Sequence, residues 1–553
     1  AILVEWAARR CHPQVRFGIG PLMSNSTPEA SSDRSARRNT RLNSGRNANQ
    51  DSGQNWGRNP RANSADSQRT DRGQRGHVDA ARGVAFDVLV AVDKDDAYAN
   101  LILPGMLSRA KLQPRDAGFA TELTYSTLRY RGQLDAIIER AASRAVSDID
   151  VHSLNALRLG ACQLLHLRTP AHAAVSTSVD LARRHRQSAA GFVNAVLRSI
   201  QDQTLDQWLD ALGTSLDADS DISVRFSHPR WMVSSLRDAL ISAGRAADEL
   251  QPLLAADNAA ARPMLVARPG ASTVAELRSD DASKVESASQ PTRQQNLGAW
   301  SPYAVEAPAG DPGRLEAVRS GRAAVQDEGS QLVALLAAAV AIDGRDELWL
   351  DGCAGPGGKT GLLAALAGMR GAHIDAMDVS RHRSELVAAT CRPFTNVSVR
   401  TGDVVAVADA DWFPAGGFDR ILVDVPCTGM GALRRRPELR WRRSPRDVGS
   451  LVGLQENILR SALAAVRVGG VVVYSTCSPH VLETSAVVSK VCSSLSATGI
   501  ISRVIDAREV VAAGSVARDP AALVQTQHDS YLRLWPHVHG TDAMFAAAIM
   551  RDA

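Results

Sequence analysis

The sequence predicts a multidomain chain of two fold classes, α and α/β. An all-helical bundle comes first, then a small mixed linking domain, then a doubly wound, mostly parallel sheet. Three observations predict this. Across residues 78–205 apolar residues recur at helical spacing and strand signals are absent. From Glu347 onward short apolar runs alternate with helical stretches, the pattern of a sheet with helices on both faces. Between the two, short β-like runs are broken by Pro, Gly and Ser.

Bulk properties bound the function. At 553 residues the chain is too long for one domain, and 44% hydrophobic with 22% charged residues describes an ordinary globular protein. The net charge of +4 is small for this length, so contact with nucleic acid would rest on local patches. Seven cysteines, an odd number thinly spread, make no disulfide framework and point to a reducing compartment, the cytoplasm. No apolar run approaches the ~18 residues of a membrane helix, so no membrane partner is expected. His and Cys lack ligand spacing, so no metal is expected either. The opening AILVEWAARRC carries Glu5 inside its apolar stretch and has no basic lead, which makes it a poor signal peptide. Met23 is the first methionine, and residues 1–22 read as an upstream extension of the natural product.

Taken in order, residues 1–77 read as a disordered extension. From Ser24 to Gly76 the chain is Ser, Asn, Arg, Gly and Gln with almost no aliphatic residue, so it cannot offset chain entropy by burial. Order begins near Val78. Val84, Val88, Leu89 and Val92 mark a first helix, and a second is expected over 115–140 behind Pro114. Leu154, Leu157, Ala161, Leu164 and Leu165 mark another, followed by 172–186 and 189–200. Arg183, Arg184 and Arg186 suit either phosphate contact or a solvated helix end. Residues 222–330 form the linking domain, in which His228 reads as a structural turn residue rather than a catalyst. The last domain, 331–553, opens on an Ala/Leu/Val helix over 331–341. Strand cores follow at 348–350, 373–377, 397–399, 420–423, 471–474 and 501–505, and at 531–534 with 545–549 as an antiparallel edge pair.

The loop Cys353-Ala354-Gly355-Pro356-Gly357-Gly358-Lys359 lies between the first of these strands and a helix, where glycines let backbone approach a ligand at the helix N-terminus. A phosphate-loop ATPase reading uses Gly358-Lys359-Thr360, but the glycine that pattern needs five positions earlier is Cys353. A nucleoside-bearing cofactor of methyl transfer suits it better. Asp378, Asp403 and Asp424 end three successive strands, where one carboxylate can take ribose hydroxyls and another an exocyclic amine.

Two cysteines complete the set. Cys427, in Asp424-Val425-Pro426-Cys427, and Cys477, in Tyr474-Ser475-Thr476-Cys477-Ser478, follow strands expected to be neighbours. A thiol there suits methylation of cytosine carbon 5, because a thiolate adding to carbon 6 turns the ring into an enamine. Asp424 would stabilise charge at ring nitrogen 3. The residues alone do not order the two thiols. Six arginines, Arg434, Arg435, Arg436, Arg440, Arg442 and Arg443, follow at once and suit RNA phosphates. Trp441 among them suits either stacking on a base or a place in the core.

The segments DGCAGPGGKT, DVPCTGMGALRRRPELRWRR and YSTCS are similar to the signatures of the Sun/Nol/Nop RNA cytosine-5 methyltransferases. AVSTSVDLAR and GFVNAVLRSI resemble the NusB-type helical RNA-binding module. The joint resemblance, to the bacterial Sun/Fmu type, covers roughly residues 78–551. It implies a NusB-like RNA-binding bundle over 78–205 and a Rossmann-like class I methyltransferase fold over 331–553. It also implies S-adenosylmethionine held by Cys353 to Lys359, Asp378, Asp403 and Asp424, with small-subunit ribosomal RNA as partner; it does not imply an oligomer. Cys477 becomes the nucleophile and Cys427 serves product release. The chain departs from the family in Val425, where alanine is common, and in 481–484, where of the usual polar run only Glu483 remains. The contrasting expectation is a non-catalytic NusB-like RNA-binding factor with a relict methyltransferase fold.

Overall fold

The computed structural model of the chain describes residues 79–279, 296–308 and 310–553. The expected disordered extension lies outside the described residues. The described residues belong to one compact unit.

The helical region begins at Ala80–Lys94, whose first turn is capped by the Asp79 carboxylate accepting the Ala81 N–H. Helices Val151–Leu165, Ala171–His185 and Ala189–Gln201 follow the expected spacing, and Phe86, Leu89, Leu134, Ile137, Leu157 and Leu197 meet in their common core. The single helix expected over 115–140 is instead two, Pro114–Arg129 and Arg131–Ala142. The break has a cause distant in sequence. Ser227 Oγ accepts the Gly132 N–H at 2.9 Å, supplying a partner that the helix would otherwise provide. Tyr130, at the break, stacks on His166 with ring centroids 3.8 Å apart. Three further helices were not anticipated: Ala99–Ala110, Leu205–Gly213 and Ala218–Arg225.

The linking region contributes helices Arg230–Ser242 and Leu250–Asp257, then a three-stranded antiparallel sheet in the order β2-β1-β3. Its strands are β1 (Met264–Ala267), β2 (Ala304–Glu306) and β3 (Ala323–Val325). Arg268, fully buried just past β1, donates from Nη1 to the carbonyls of Gly321 and Thr390, tying this sheet to the end of the helix Arg381–Thr390.

The larger sheet has eight strands: β4 (Leu348–Asp351), β5 (His373–Asp378), β6 (Val397–Thr401), β7 (Phe418–Asp424), β8 (Val466–Thr476), β9 (Ser502–Ile505), β10 (Leu532–Leu534) and β11 (Met544–Arg551). Their order is β10-β11-β8-β7-β4-β5-β6, with β9 also on β11. Strands β4 to β8 run parallel, and β11 lies antiparallel to β8, β9 and β10. The strand order therefore reverses at β4, between β5 and β7. In a doubly wound sheet the crevice beyond the strand ends at such a reversal is the ligand site. Apolar cores cover both faces: Leu332, Leu336, Trp349 and Leu363 on one, Phe418, Leu459, Tyr474 and Phe545 on the other.

Candidate active site

Every site residue expected from the sequence arrives at that crevice. Asp351 and the glycine loop leave β4, Asp378 ends β5, Asp403 follows β6 and Asp424 ends β7. Cys427 lies three residues beyond β7 and Cys477 one beyond β8, and the two strands pair in parallel with Asp424 opposite Ser475. Register thus sets the two turns side by side.

In the glycine loop, Gly355 (φ +55°) and Gly357 (φ +91°) take left-handed conformations that side chains resist. A Cβ on Gly357 would lie 3.0 Å from Val387 Cα, whereas one on Gly358 would meet only open space. The helix Gly358–Gly368 therefore starts behind a bare backbone cradle. Asp378 stands at its edge, with Oδ2 accepting the Gly355 N–H at 3.1 Å and Oδ1 accepting the Ser380 N–H at 2.8 Å. Arg383 adds an ion pair at 3.0 Å. A carboxylate offers about four acceptor positions, so Asp378 retains capacity for a donor outside the protein. Asp403 is exposed and uses Oδ1 on the Val405 N–H. An open cradle, a carboxylate with capacity left and a second exposed carboxylate fit a ligand with a hydroxyl-bearing sugar and an amine-bearing base.

Cys353 lies among the acids of this crevice. Burial, with Asp351, Asp424, Asp378 and Asp403 around it, pushes its thiol well above the ordinary range. Asp351, which the sequence reading did not single out as a site residue, is buried, and desolvation raises it to about 7 although Thr360 donates to it at 2.7 Å.

The reactive end is built from Lys359, Asp424 and the thiols. Lys359 Nζ sits 2.6 Å from Asp424 Oδ2, and Ser475 Oγ donates to Asp424 Oδ1 at 2.9 Å. Burial acts to lower the Lys359 ammonium, but Asp424, joined by Cys477 and Asp351, holds it above its usual value. The Cys427 and Cys477 Sγ atoms are 3.3 Å apart. The hydrogen bond shared with Cys427, joined by the charge of Lys359, places Cys477 below the ordinary thiol range against burial and the charges of Asp424 and Asp542. Cys427 goes the other way, well above it, through the same hydrogen bond and burial.

The arginine loop differs from expectation. Arg440 is fully buried and donates to the carbonyls of Arg129, Ser227 and Asp257. Arg442 donates to the carbonyls of Val92 and Ala97 and lies over the Tyr98 ring. Arg434 donates to the carbonyls of Gly540 and Thr541, and Arg435 pairs with Asp542. Trp441 places its ring where a Gly132 side chain would stand. Most of the loop therefore fastens the catalytic turn to the rest of the protein, and Arg436 remains exposed. The physical reason is reach: long cationic stems beside unpaired helix-end carbonyls find partners inside the chain.

A glycine loop behind the first strand, acids at the following strand ends and a thiol pair at the neighbouring ones define a Rossmann-like methyltransferase site. Residues 339–550 match the family described as 16S rRNA methyltransferase RsmB/F, and residues 79–202 match the NusB family. The chain belongs to the RsmB/F family. A putative methyltransferase of Mycobacterium tuberculosis is 46% identical over 86% of this chain and 98% of its own. Ribosomal RNA small subunit methyltransferase B of Erwinia tasmaniensis is 32% identical over 72% of this chain and 86% of its own. The crystal structure of PH0851 shares the fold, with a TM-score of 0.67 over 85% of this chain and 98% of that one at 18% identity. Among the described residues no group of His, Cys, Asp and Glu could hold a metal ion, and no helix is long and apolar enough to cross a membrane.

Proposed function

We propose that this chain transfers a methyl group from S-adenosylmethionine to carbon 5 of a cytosine in small-subunit ribosomal RNA, through a covalent adduct of Cys477. The observation that carries the reading is the thiol pair, 3.3 Å apart, with Cys477 on the side of Lys359 and Asp424. Family membership and the name of the Erwinia relative support ribosomal RNA as substrate. The NusB-family match supports RNA contact by the helical region.

S-adenosylmethionine, when bound, supplies an electrophilic methyl group on a sulfonium. The loop from Cys353 through Ala354, Gly355, Pro356, Gly357 and Gly358 to Lys359 would hold it by backbone, with Asp378 on the ribose hydroxyls and Asp403 toward the adenine amine. Cys477 would add to carbon 6 of the base, making carbon 5 nucleophilic. The negative charge pushed to ring nitrogen 3 would be met by a proton passed from the Lys359 ammonium through Asp424, which Ser475 holds in place, and returned when Cys477 leaves. Release requires loss of the carbon 5 proton and departure of Cys477 as thiolate, and Cys427, in contact with Cys477, would serve that step.

The test is incubation of unmodified small-subunit ribosomal RNA with methyl-labelled S-adenosylmethionine, followed by nucleoside analysis. Label in 5-methylcytidine is expected. Label in another nucleoside, or no transfer to any of several RNAs while the chain is folded, would refute the reading.

A further inference from the structure

Glu483 is fully buried, and no salt bridge reaches it among the described residues. Its carboxylate nonetheless accepts three hydrogen bonds. Oε1 accepts the Thr428 N–H at 2.8 Å and the Gln455 amide at 3.1 Å, and Oε2 accepts the Thr428 hydroxyl. With that hydroxyl proton directed at Glu483, Ser478 is the donor in the 3.1 Å contact between Ser478 Oγ and Thr428 Oγ1. The Glu483 carbonyl is held as well, accepting from the Tyr474 hydroxyl at 2.7 Å. Thr428 follows Cys427 and Ser478 follows Cys477. One acid therefore gathers the residues next to both thiols, and Gln455, which also donates to the Pro426 carbonyl at 2.8 Å, braces the first turn from the helix Pro445–Ala465.

From this network we propose that Glu483 is the positioning residue that holds the Cys427 turn against Cys477 and keeps the proton shared by the two thiols on Cys427. Cys477 is thereby left as the thiolate.

The contribution of Glu483 falls on the Cys427 side of the pair. Cys427 feels Glu483, which opposes its ionisation, after the larger effects of its bond to Cys477 and of burial. Cys477 faces Asp424 and Asp542, which oppose ionisation, Asp424 by more than Lys359 favours it, and the Arg435 cation, which also favours it. Tyr474 and His480 are the other titratable groups near Glu483. Burial holds the Tyr474 hydroxyl well above and the His480 imidazole below their usual ranges, so both stay neutral near neutral pH. Glu483 thus places negative charge on the Cys427 side, opposite the Lys359 cation on the Cys477 side. The role deepens the proposed reaction and rests on it, but its test reads no RNA.

The test is alkylation of the reduced, full-length protein by iodoacetamide over a pH series, with labelling at each cysteine read by peptide mass spectrometry. The unaltered protein is expected to label Cys477 at lower pH than Cys427. Glu483→Gln keeps the size and removes the charge. It is expected to move labelling toward Cys427 by about tenfold and to lower the pH at which Cys427 reacts. A folded Glu483→Gln protein with the ratio and both pH profiles of the unaltered one would overturn the proposal, because a purely structural brace leaves the proton order alone. Should that variant fail to fold, the unaltered protein still decides: Cys427 reacting at or below the pH of Cys477 would also overturn it. A normal alkylation shift in a chain that transfers no methyl group supports the role of Glu483 and counts against the proposed reaction alone.

Discussion

Lys359 shows how single side chains set this chemistry. Its ammonium is buried, which would favour loss of its proton, yet Asp424 at 2.6 Å keeps it charged beside Cys477. Lys359→Met removes that charge and leaves Asp424 unpaired. Methyl transfer should fall by roughly 100-fold. The sign of the pH effect follows from Cys477. In the proposed reaction its thiolate is the reactive form, and its pKa is depressed, so activity should be lost as pH falls through that depressed value. The acid limb of the rate–pH profile therefore lies below that of an ordinary thiol and moves to higher pH in Lys359→Met. An unmoved acid limb would mean that Lys359 does not act on Cys477. Asp351 ends a strand before the glycine loop, the same sign that marked the other acids, and went unused; Glu483 was not legible at the site because nothing local marks its partners. The partners of Glu483, Thr428 and Gln455, lie 55 and 28 residues away in sequence.

At the scale of elements, the turn after β7 is held by a close passage of backbone. Gly431 donates its N–H to the Cys477 carbonyl at 2.8 Å and accepts the Ala543 N–H at 2.9 Å. A Cβ there would overlap the Ala543 carbonyl oxygen and stand 2.8 Å from that of Cys477. Gly431→Ala should cost about 2–3 kcal/mol and displace the Cys477 turn, read as a lowered urea midpoint together with reduced methyl transfer. A stable, fully active variant would show that the turn has room the geometry denies. The strands themselves were legible, since buried parallel strands such as 420–423 and 471–474 are short apolar runs bounded by turn formers. The break at Tyr130 was not, because the Ser227 hydroxyl that captures the Gly132 N–H belongs to a residue 95 positions away. The helix Leu205–Gly213 carried a readable signal that went unused, the capping box of Thr204 and Gln207.

At the scale of the whole molecule, the arginine loop joins the helical region to the catalytic turn. Sequence shows six cations near a thiol, and RNA is a reasonable partner for them, but it cannot show the carbonyls of Arg129, Ser227 and Asp257 converging on Arg440. Arg440→Ala leaves those buried acceptors without their donor and should destabilise the protein by about 3 kcal/mol, measured by urea denaturation. Burial holds His166 and His539 neutral, each near 4 against an ordinary 6.5. The unfolded chain takes up their protons first, so their contribution is complete above the ordinary value and is lost as pH falls from there toward 4. Burial raises Asp351 and Asp257 to about 7, and these acids gain stability over the same window, so the histidine effect is read by difference. Relative to the unaltered protein, His166→Phe should shift the change in urea stability between about pH 7 and about pH 5 by about 2 kcal/mol in favour of the acid side. An unchanged pH dependence would show that His166 is not held neutral.

The most direct measurement compares the unaltered protein with Cys477→Ala and Cys427→Ala on unmodified small-subunit ribosomal RNA and labelled S-adenosylmethionine, followed by denaturing electrophoresis. Methyl transfer by the first is expected, none by the second, and from the third a covalent protein–RNA adduct that persists because release is blocked. If Cys477→Ala stayed active while Cys427→Ala lost both transfer and adduct, the two thiols would hold each other's roles and the site as described would be wrong.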